Sequence, residues 1–471
     1  MSEQLSTGGP SVADLGANNT RYIQDLDNAH HLHPFTVHHE LRDHNPRVIS
    51  HGKGVYLWDS DGNKIVDGMA GLWCVQVGYG VEALAETASE AIRSLSYYNT
   101  FFQTTTPHAA ELSALVAKKT PADLDQIFFA SSGSEANDSA VKFIWYYWNI
   151  KGQPKKKHII ARDRAYHGTT VAAASLTGLP FMHDIFDLPL PQMHHVGPTP
   201  HYFAYGQAGE SEDDFAQRCA QAIEDKILEL GPENVAAFIG EPVMGAGGLM
   251  LPPKGYWPRV EAICRKYDVL LWADEVICGF GRTGSWFGSQ TYGFTPDLIT
   301  MAKGMSSGYV PMSAVALNNE IANTLVDADT EMAHGFTYSG HPVSCAVSVR
   351  NIELIEEWDL VAKTGGETGD HFQKRLAELD DHPLIGQTRG IGMLGAMEIV
   401  RDKTTNERFD EDISAGTVCR NNCFKTGVVM RAVGDTMFLS PPLVMSRDEI
   451  DEMFGLIRTS LDLTLDELRS S

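Results

Sequence analysis

Basic residues are scarce in this 471-residue chain: 37 Lys and Arg stand against 61 Asp and Glu, a net charge of -24. A field of that sign repels phosphate backbones and anionic lipid, which excludes a nucleic-acid or acidic-membrane surface and favours solubility. The acidic excess fits a saline habitat and equally an ordinary acidic cytosolic protein. No uninterrupted apolar run is long enough to span a bilayer, and the opening MSEQLSTGGPSVADLG has neither the basic stretch nor the apolar core of a secretory signal. The expectation is a cytoplasmic protein. Cysteine is sparse: seven, at 74, 219, 264, 278, 345, 419 and 423, form no disulfide framework and suit a reducing compartment. Cys419 and Cys423 can share a helix face, yet two thiols without further ligands belong in a core.

What is present is ordinary globular material. With 43% hydrophobic residues the chain can bury a large core, and its length suggests either several domains or one large domain with a smaller companion. Short apolar runs bounded by turn residues (QIFFA, KHIIA, VAAFIG, VLLWA and DLITMA) alternate with amphipathic segments, which predicts β-α units around a parallel sheet. These runs are apolar at consecutive positions, as expected of strands covered by helices on both faces. Helices are predicted where Leu84, Ala88, Ile92 and Leu95 share a face, and again where Ile450, Met453, Phe454, Ile457 and Leu461 do, the latter opened by a Ser446/Glu449 capping box. GMLGAMEIV reads as a strand, and GVVMRAV and TMFLSPPL as strands joined by a Gly-Asp turn. A smaller α+β domain is inferred from about residue 341. YGQAGESEDDF reads as an exposed acidic loop.

The histidines of HHLHPFTVHH (His30, His31, His33, His38, His39) raise the question of a metal. No clear set of carboxylate or thiolate partners joins them in the sequence, so none is expected.

Chemistry gathers at the strand ends. QIFFASSGSEANDSAVKFIWYYW drives a strand through Ser-Ser-Gly-Ser into a helix with Ala136, Ala140, Phe143 and Tyr147 on one side. Its turn offers free N–H groups, hydroxyls and the positive end of a helix dipole, with Gly133 permitting close approach: a phosphate cup, or simply a serine helix cap. No Gly-Lys-Ser/Thr follows, which argues against a nucleoside triphosphate. VLLWADEVICGFGRTG carries Asp274 at the end of a very apolar strand, where a carboxylate needs a partner such as a cationic ring nitrogen or the next loop's backbone. Lys303, in DLITMAKG, ends the next apparent strand, and alone it would be a snorkelling side chain. A third strand end carries RAYHG, whose Tyr166 and His167 offer an aromatic face. Phosphate cup, aromatic shelf, buried carboxylate and strand-end lysine together describe a site for pyridoxal 5′-phosphate.

With these segments stand GEPVMGAGG, TYSGHP, DGMAGLWCVQVGYG, YNTFFQTTTP and RAVGD. Over nearly its whole length the sequence resembles the class III aminotransferases among the fold-type I pyridoxal-phosphate enzymes, in particular the ω-transaminases that use pyruvate. The resemblance implies an α/β fold: a large domain with a mostly parallel seven-stranded sheet at 76–340, a small α+β domain at 341–471, and a segment 1–75 contributing to the small domain and the entrance. It implies that Lys303 binds the cofactor covalently and acts as base, that Asp274 faces the pyridine nitrogen, and that Val276 lies under one ring face with Tyr166 on the other, His167 beside it. Ser132, Gly133 and Ser134 would hold the phosphate, joined by Thr337 of a neighbouring subunit, with Glu241 beside the phenolic oxygen or a nearby arginine. Trp73, Tyr166 and Ala246, with Phe101 or Phe102 across an interface and Phe35 from the amino-terminal segment, would shape the substrate pocket. Arg431 would grip the oxo acid's carboxylate. The activity implied is transfer of an amino group from a primary amine or ω-amino acid to pyruvate by a homodimer with shared sites, or a tetramer. The donor is left open among diamines, ω-amino acids such as β-alanine and aminosulfonates. An aminomutase, a decarboxylase of similar sequence, or a non-catalytic phosphometabolite-binding protein of the same fold are the alternatives.

Overall fold

The computed structural model describes residues 20–410 and 412–470. Seven strands form the central sheet: β1 (Gln126–Ala130), β2 (His158–Arg162), β3 (Met193–Val196), β4 (Val235–Gly240), β5 (Leu270–Asp274), β6 (Leu298–Met301) and β7 (Ser313–Leu317). Their spatial order is β1-β7-β6-β5-β4-β2-β3. Pairing is parallel from β3 across to β6, whereas β7 runs antiparallel to both β6 and β1. The five apolar runs singled out in the sequence are all strands. The two unannounced ones are β3, rich in histidine, and β7, whose small residues Ala314 and Ala316 carry little hydrophobic signal although the whole strand is buried.

The helix α1 (Gly133–Ile150) packs across β6 and β7 and buries Ala136, Ala140, Phe143 and Tyr147, the stripe its spacing predicts. The carboxyl-terminal region adds a four-stranded antiparallel sheet of Ile385–Ile391, Leu394–Ile399, Thr436–Leu439 and Arg431–Val433. Its last hairpin turns at Gly434-Asp435, with Val433 paired to Thr436 and Gly434 at φ +54°. The final helix, Arg447–Ser470, opens as predicted: Ser446 N donates to Glu449 Oε2 at 2.8 Å, and Ser446 Oγ accepts from Glu449 N at 3.3 Å. Ile450, Met453, Phe454, Ile457 and Leu461 are all buried. A third sheet joins Ile49–Lys53, Tyr56–Asp59 and Lys64–Asp67 to Val428–Val429, which pairs parallel with the third of these.

Two local expectations are corrected. On the helix Glu82–Leu95 the buried residues are Leu84 and Ala91, while Ile92 and Leu95 are 56% and 38% exposed. Ile92 lies roughly 80° round the helix from Leu84 and Leu95 stands in the last turn, so neither follows Leu84 onto the helix Pro342–Glu357 against which this one packs. The acidic stretch after Tyr205 is not all loop, because Glu212, Asp213 and Asp214 form the first turn of a helix that runs to Leu230. Ser211 Oγ accepts from Asp214 N at 3.1 Å, and the three carboxylates sit at the positive end of the dipole. The cysteines are all free thiols, and Cys419 and Cys423 are buried as expected.

Candidate active site

The carboxyl ends of β1, β2, β4, β5 and the β6 extension open on one side of the sheet, the side on which open α/β sheets bind ligands. They deliver Gly133 and Ser134, Tyr166 and His167, Glu241, Asp274 with Val276, and Lys303 to a single crevice of about 490 Å³ including its mouth. The convergence that spacing only suggested is therefore present in the folded chain.

Each side chain is held by its surroundings. Asp274 is buried, and its Oδ2 accepts from His167 Nδ1 at 2.7 Å and from Asn137 Nδ2 at 3.0 Å, while Oδ1 accepts from Val276 N at 3.1 Å. Glu241, also buried, accepts from Tyr166 N at 3.0 Å and Gly245 N at 2.8 Å. Burial pushes its carboxyl above the usual range, His167 opposes that push, and the nearby Asp274 adds to it. Lys303 is half-buried, and desolvation lowers its ammonium from the ordinary value, with Cys74, Asp274 and Glu241 pulling the other way and Arg431 adding to the drop. It sits at φ +47°, a left-handed conformation that a lysine adopts only when its neighbours impose it. Asn351 Nδ2 holds the turn by donating to Gly304 O at 2.9 Å and Met305 O at 3.0 Å.

The first turn of α1 presents to the crevice the N–H groups of Gly133 and Ser134, which have no carbonyl of their own helix to reach. A Cβ on Gly133 would lie 3.1 Å from the Val276 side chain, so the cup and the valine wall abut with no space for a larger residue. Gly168 closes the far side at φ +134°, where a Cβ would collide with Ser134 Oγ. That hydroxyl accepts from Thr169 N at 3.0 Å. Ser132 caps the helix instead, its Oγ accepting from Glu135 N at 3.2 Å. The donor set fits pyridoxal phosphate: an anion cup, a buried oriented carboxylate for a ring N–H, and an amine of lowered pKa in the same crevice as Val276 and Tyr166.

The guanidinium of half-buried Arg431 stands 5.2 Å from the centroid of the buried Trp73 ring. Burial lowers the Arg431 pKa, and it raises that of Tyr166, which Arg431 counteracts. Ala246 is buried in the loop after Glu241, closed by paired Met244 and Met250. Besides Ser132, Trp73, Ala246 and Arg431, four more predicted residues do not line the crevice of this chain. Phe35 and Phe102 are 68% and 87% exposed, Phe101 rests on Phe102 with ring centroids 5.9 Å apart, and exposed Thr337 offers its carbonyl to Tyr97 Oη at 2.8 Å. The sequence reading also missed residues. Asn137, one turn past Gly133 in SSGSEAND, carries no signal in the sequence beside the apolar Ala136, yet its Nδ2 donates to both His167 O and Asp274 Oδ2. Arg389, whose Nε donates to Leu249 O at 2.7 Å, lies far away in sequence and gave no local signal.

The family model for class-III aminotransferases matches residues 38–461. A putrescine–pyruvate aminotransferase of Pseudomonas aeruginosa is 50% identical over 446 residues, covering 94% of this chain and 97% of that one. Among solved structures, an (S)-enantioselective omega-transaminase of Thermomicrobium roseum superposes with a TM-score of 0.91 at 41% identity, covering 95% of this chain and 99% of its own. The omega transaminase of Pseudomonas jessenii in complex with PMP does so with a TM-score of 0.92 at 40% identity, covering 94% and 98%. The crevice and these likenesses agree: the chain belongs to the class-III aminotransferases, fold-type I enzymes that depend on pyridoxal phosphate.

Proposed function

We propose that this aminotransferase carries amino groups from primary amines to pyruvate, with a diamine of the putrescine type as donor. The single observation that carries the acceptor half is Arg431 over Trp73, close enough to Tyr166 and Lys303 of the crevice for its charge to act on both, a planar cation suited to a carboxylate. The donor half rests on the likeness to the putrescine–pyruvate enzyme.

Pyridoxal phosphate, when bound, supplies an aldehyde that takes the amine nitrogen and a protonated ring that accepts electron density. The chain's own residues do the rest. The first-turn N–H groups at Gly133 and Ser134 would hold the phosphate, Asp274 would keep the ring nitrogen protonated, and Val276 and Tyr166 would confine the ring. Lys303 Nζ, whose lowered pKa leaves more free amine near neutrality, takes the proton from the substrate carbon that bears nitrogen. Glu241 and His167 orient Tyr166 and Asp274.

The active form in this reading is a homodimer in which Thr337 and either Phe101 or Phe102 serve the partner's crevice, with Phe35 of the amino-terminal segment at the substrate pocket; the exposure of Thr337, Phe102 and Phe35 in the single chain supports it, as does that of Tyr338 at 61%. A tetramer of such dimers is compatible with the same surface. A division at 1–75, 76–340 and 341–471 is supported by the pairing of Lys64–Asp67 with Val428–Val429. The net charge of -24 supports a cytoplasmic, salt-tolerant enzyme, since screening relieves carboxylate repulsion.

Alanine formation from pyruvate with putrescine, β-alanine or 1-phenylethylamine as donor tests the reading. Pyruvate-dependent turnover fastest with the diamine is the expected result, and deamination without need of an oxo acid would reject it. Lys303→Ala should bind the cofactor without a borohydride-fixable bond and lose turnover. Light scattering should find no active monomer.

A further inference from the structure

The histidine-rich segment has no part in the crevice chemistry, and the structure supplies the carboxylate it lacked in sequence. The first described helix, Thr20–His30, ends on a turn that brings His31 and His33 back over Asp27. His31 Nδ1 lies 3.0 Å from Asp27 Oδ1 and His33 Nε2 lies 2.6 Å from Asp27 Oδ2. The two imidazole rings are 4.1 Å apart between centroids, and the three donor atoms all fall within 4.8 Å of one another. The backbone of His33 is fixed in turn, because His38 Nε2 stands 3.1 Å from its carbonyl oxygen.

We propose that Asp27, His31 and His33 form a binding site for a borderline divalent transition ion such as Zn²⁺, Ni²⁺ or Co²⁺. Donors about 2.0 to 2.2 Å from such an ion lie roughly 3.3 Å apart round a tetrahedron, so the observed spacings of 3.0 and 2.6 Å need to open by about 0.3 and 0.7 Å. Two imidazoles and one carboxylate suit these metals better than Mg²⁺ or Ca²⁺, which take mostly oxygen. The side chains are partly open to solvent, with 18% exposure for Asp27, 23% for His33 and 58% for His31, leaving a path for the ion and positions for water. Asp27 and His31, four residues apart, straddle the end of the helix, and His33 belongs to the turn beyond it. An ion there therefore clips the helix to the turn that leads to Phe35.

The test uses the untagged, cofactor-loaded enzyme and Co²⁺, whose visible absorption reports its ligands. Equilibrium dialysis should find one Co²⁺ per chain more on the wild type than on the His31→Ala/His33→Ala variant or on Asp27→Asn, with a cobalt band that Zn²⁺ abolishes. The difference between proteins removes binding by histidines elsewhere. His33→Cys replaces one donor by another and should keep the stoichiometry, with a new thiolate charge-transfer band when Cd²⁺ is added. Equal Co²⁺ on wild type and both variants, or a His33→Cys protein that folds but shows no thiolate band, would overturn the site and leave a hydrogen-bonded triad only.

Discussion

Asp274 receives the His167 ring at 2.7 Å on the same oxygen that Asn137 reaches at 3.0 Å, and all three residues are buried. The carboxylate is therefore aimed before any ligand arrives, because two donors and the Val276 N–H fix its plane. Such preorganisation removes the reorganisation that a mobile carboxylate would require. Asp274→Asn should retain the cofactor and lower single-turnover proton abstraction by on the order of 100-fold or more, the scale of losing one oriented electrostatic partner. An unchanged rate would reject Asp274 as the partner of the ring nitrogen.

Asn137→Ala isolates the supporting role. The variant leaves the His167 carbonyl, which accepts from Asn137 Nδ2, without that donor, so unfolding should become easier by roughly 1 to 3 kcal/mol. Because Asp274 would lose one of its three hydrogen bonds, the pH dependence of the bound cofactor's absorption should shift as well. A melting-temperature loss with an unmoved spectral titration would mean that Asn137 supports the fold alone.

Arg431→Ala separates the two half-reactions. A guanidinium that holds the oxo acid contributes a charged hydrogen bond of about 1.5 to 3 kcal/mol, so KM for pyruvate should rise about tenfold or more. Deamination of 1-phenylethylamine in a single half-reaction without pyruvate should change little. Equal losses in both would assign Arg431 to the fold or the cofactor.

Glu275 follows Asp274 into the core, where it accepts from Gly288 N at 2.8 Å and Ser289 N at 2.7 Å. Burial outweighs these donors and raises its pKa to about 7. A folded-state pKa above the unfolded one means that the protonated form stabilises the fold. That contribution is whole below about pH 4.5 and is lost as pH rises through 7. Between those limits wild-type stability should fall more steeply with pH than that of Glu275→Gln, by up to roughly 1.4 kcal/mol per pH unit. Parallel denaturation curves for the two proteins from pH 5 to 8 would contradict this.

Arg389 ties the loop that carries Ala246 to the carboxyl-terminal sheet: it pairs with buried Glu398 at 2.7 Å and donates to the carbonyls of Gly248 and Leu249. Arg389→Met should destabilise the protein by about 3 kcal/mol, since a buried carboxylate loses one of its two arginines and two carbonyls lose their donor. Arg389→Met/Glu398→Leu should recover part of that loss in denaturant titrations, as expected when an uncompensated charge, not lost volume, is the cause.

The parts of this molecule that could be read in advance were those with one strong local signal. The strand ends carrying Asp274 and Lys303 were legible because a charge after a fully apolar run has few explanations, and the helix from Arg447 because cap and stripe agree. Strand β7 was not, since alanine fits helix and strand alike and its antiparallel direction is set by neighbours distant in sequence. Asp27 was overlooked as a partner of the histidines because it precedes them by a turn of helix, and only the fold back at His31 makes them neighbours. Phe35, Phe101, Phe102 and Thr337 were named through family resemblance, and no property of a single chain would have selected them.

The pairing of Val428–Val429 with Lys64–Asp67 has a consequence for biosynthesis. Three strands made among the first 70 residues keep an unsatisfied edge until some 360 more have been synthesised, so that sheet cannot finish while the ribosome is still building the middle of the molecule. The seven-stranded core, whose members span Gln126 to Leu317, is under no such delay. The strand that completes the amino-terminal sheet is thus made only after every strand of the seven-stranded core.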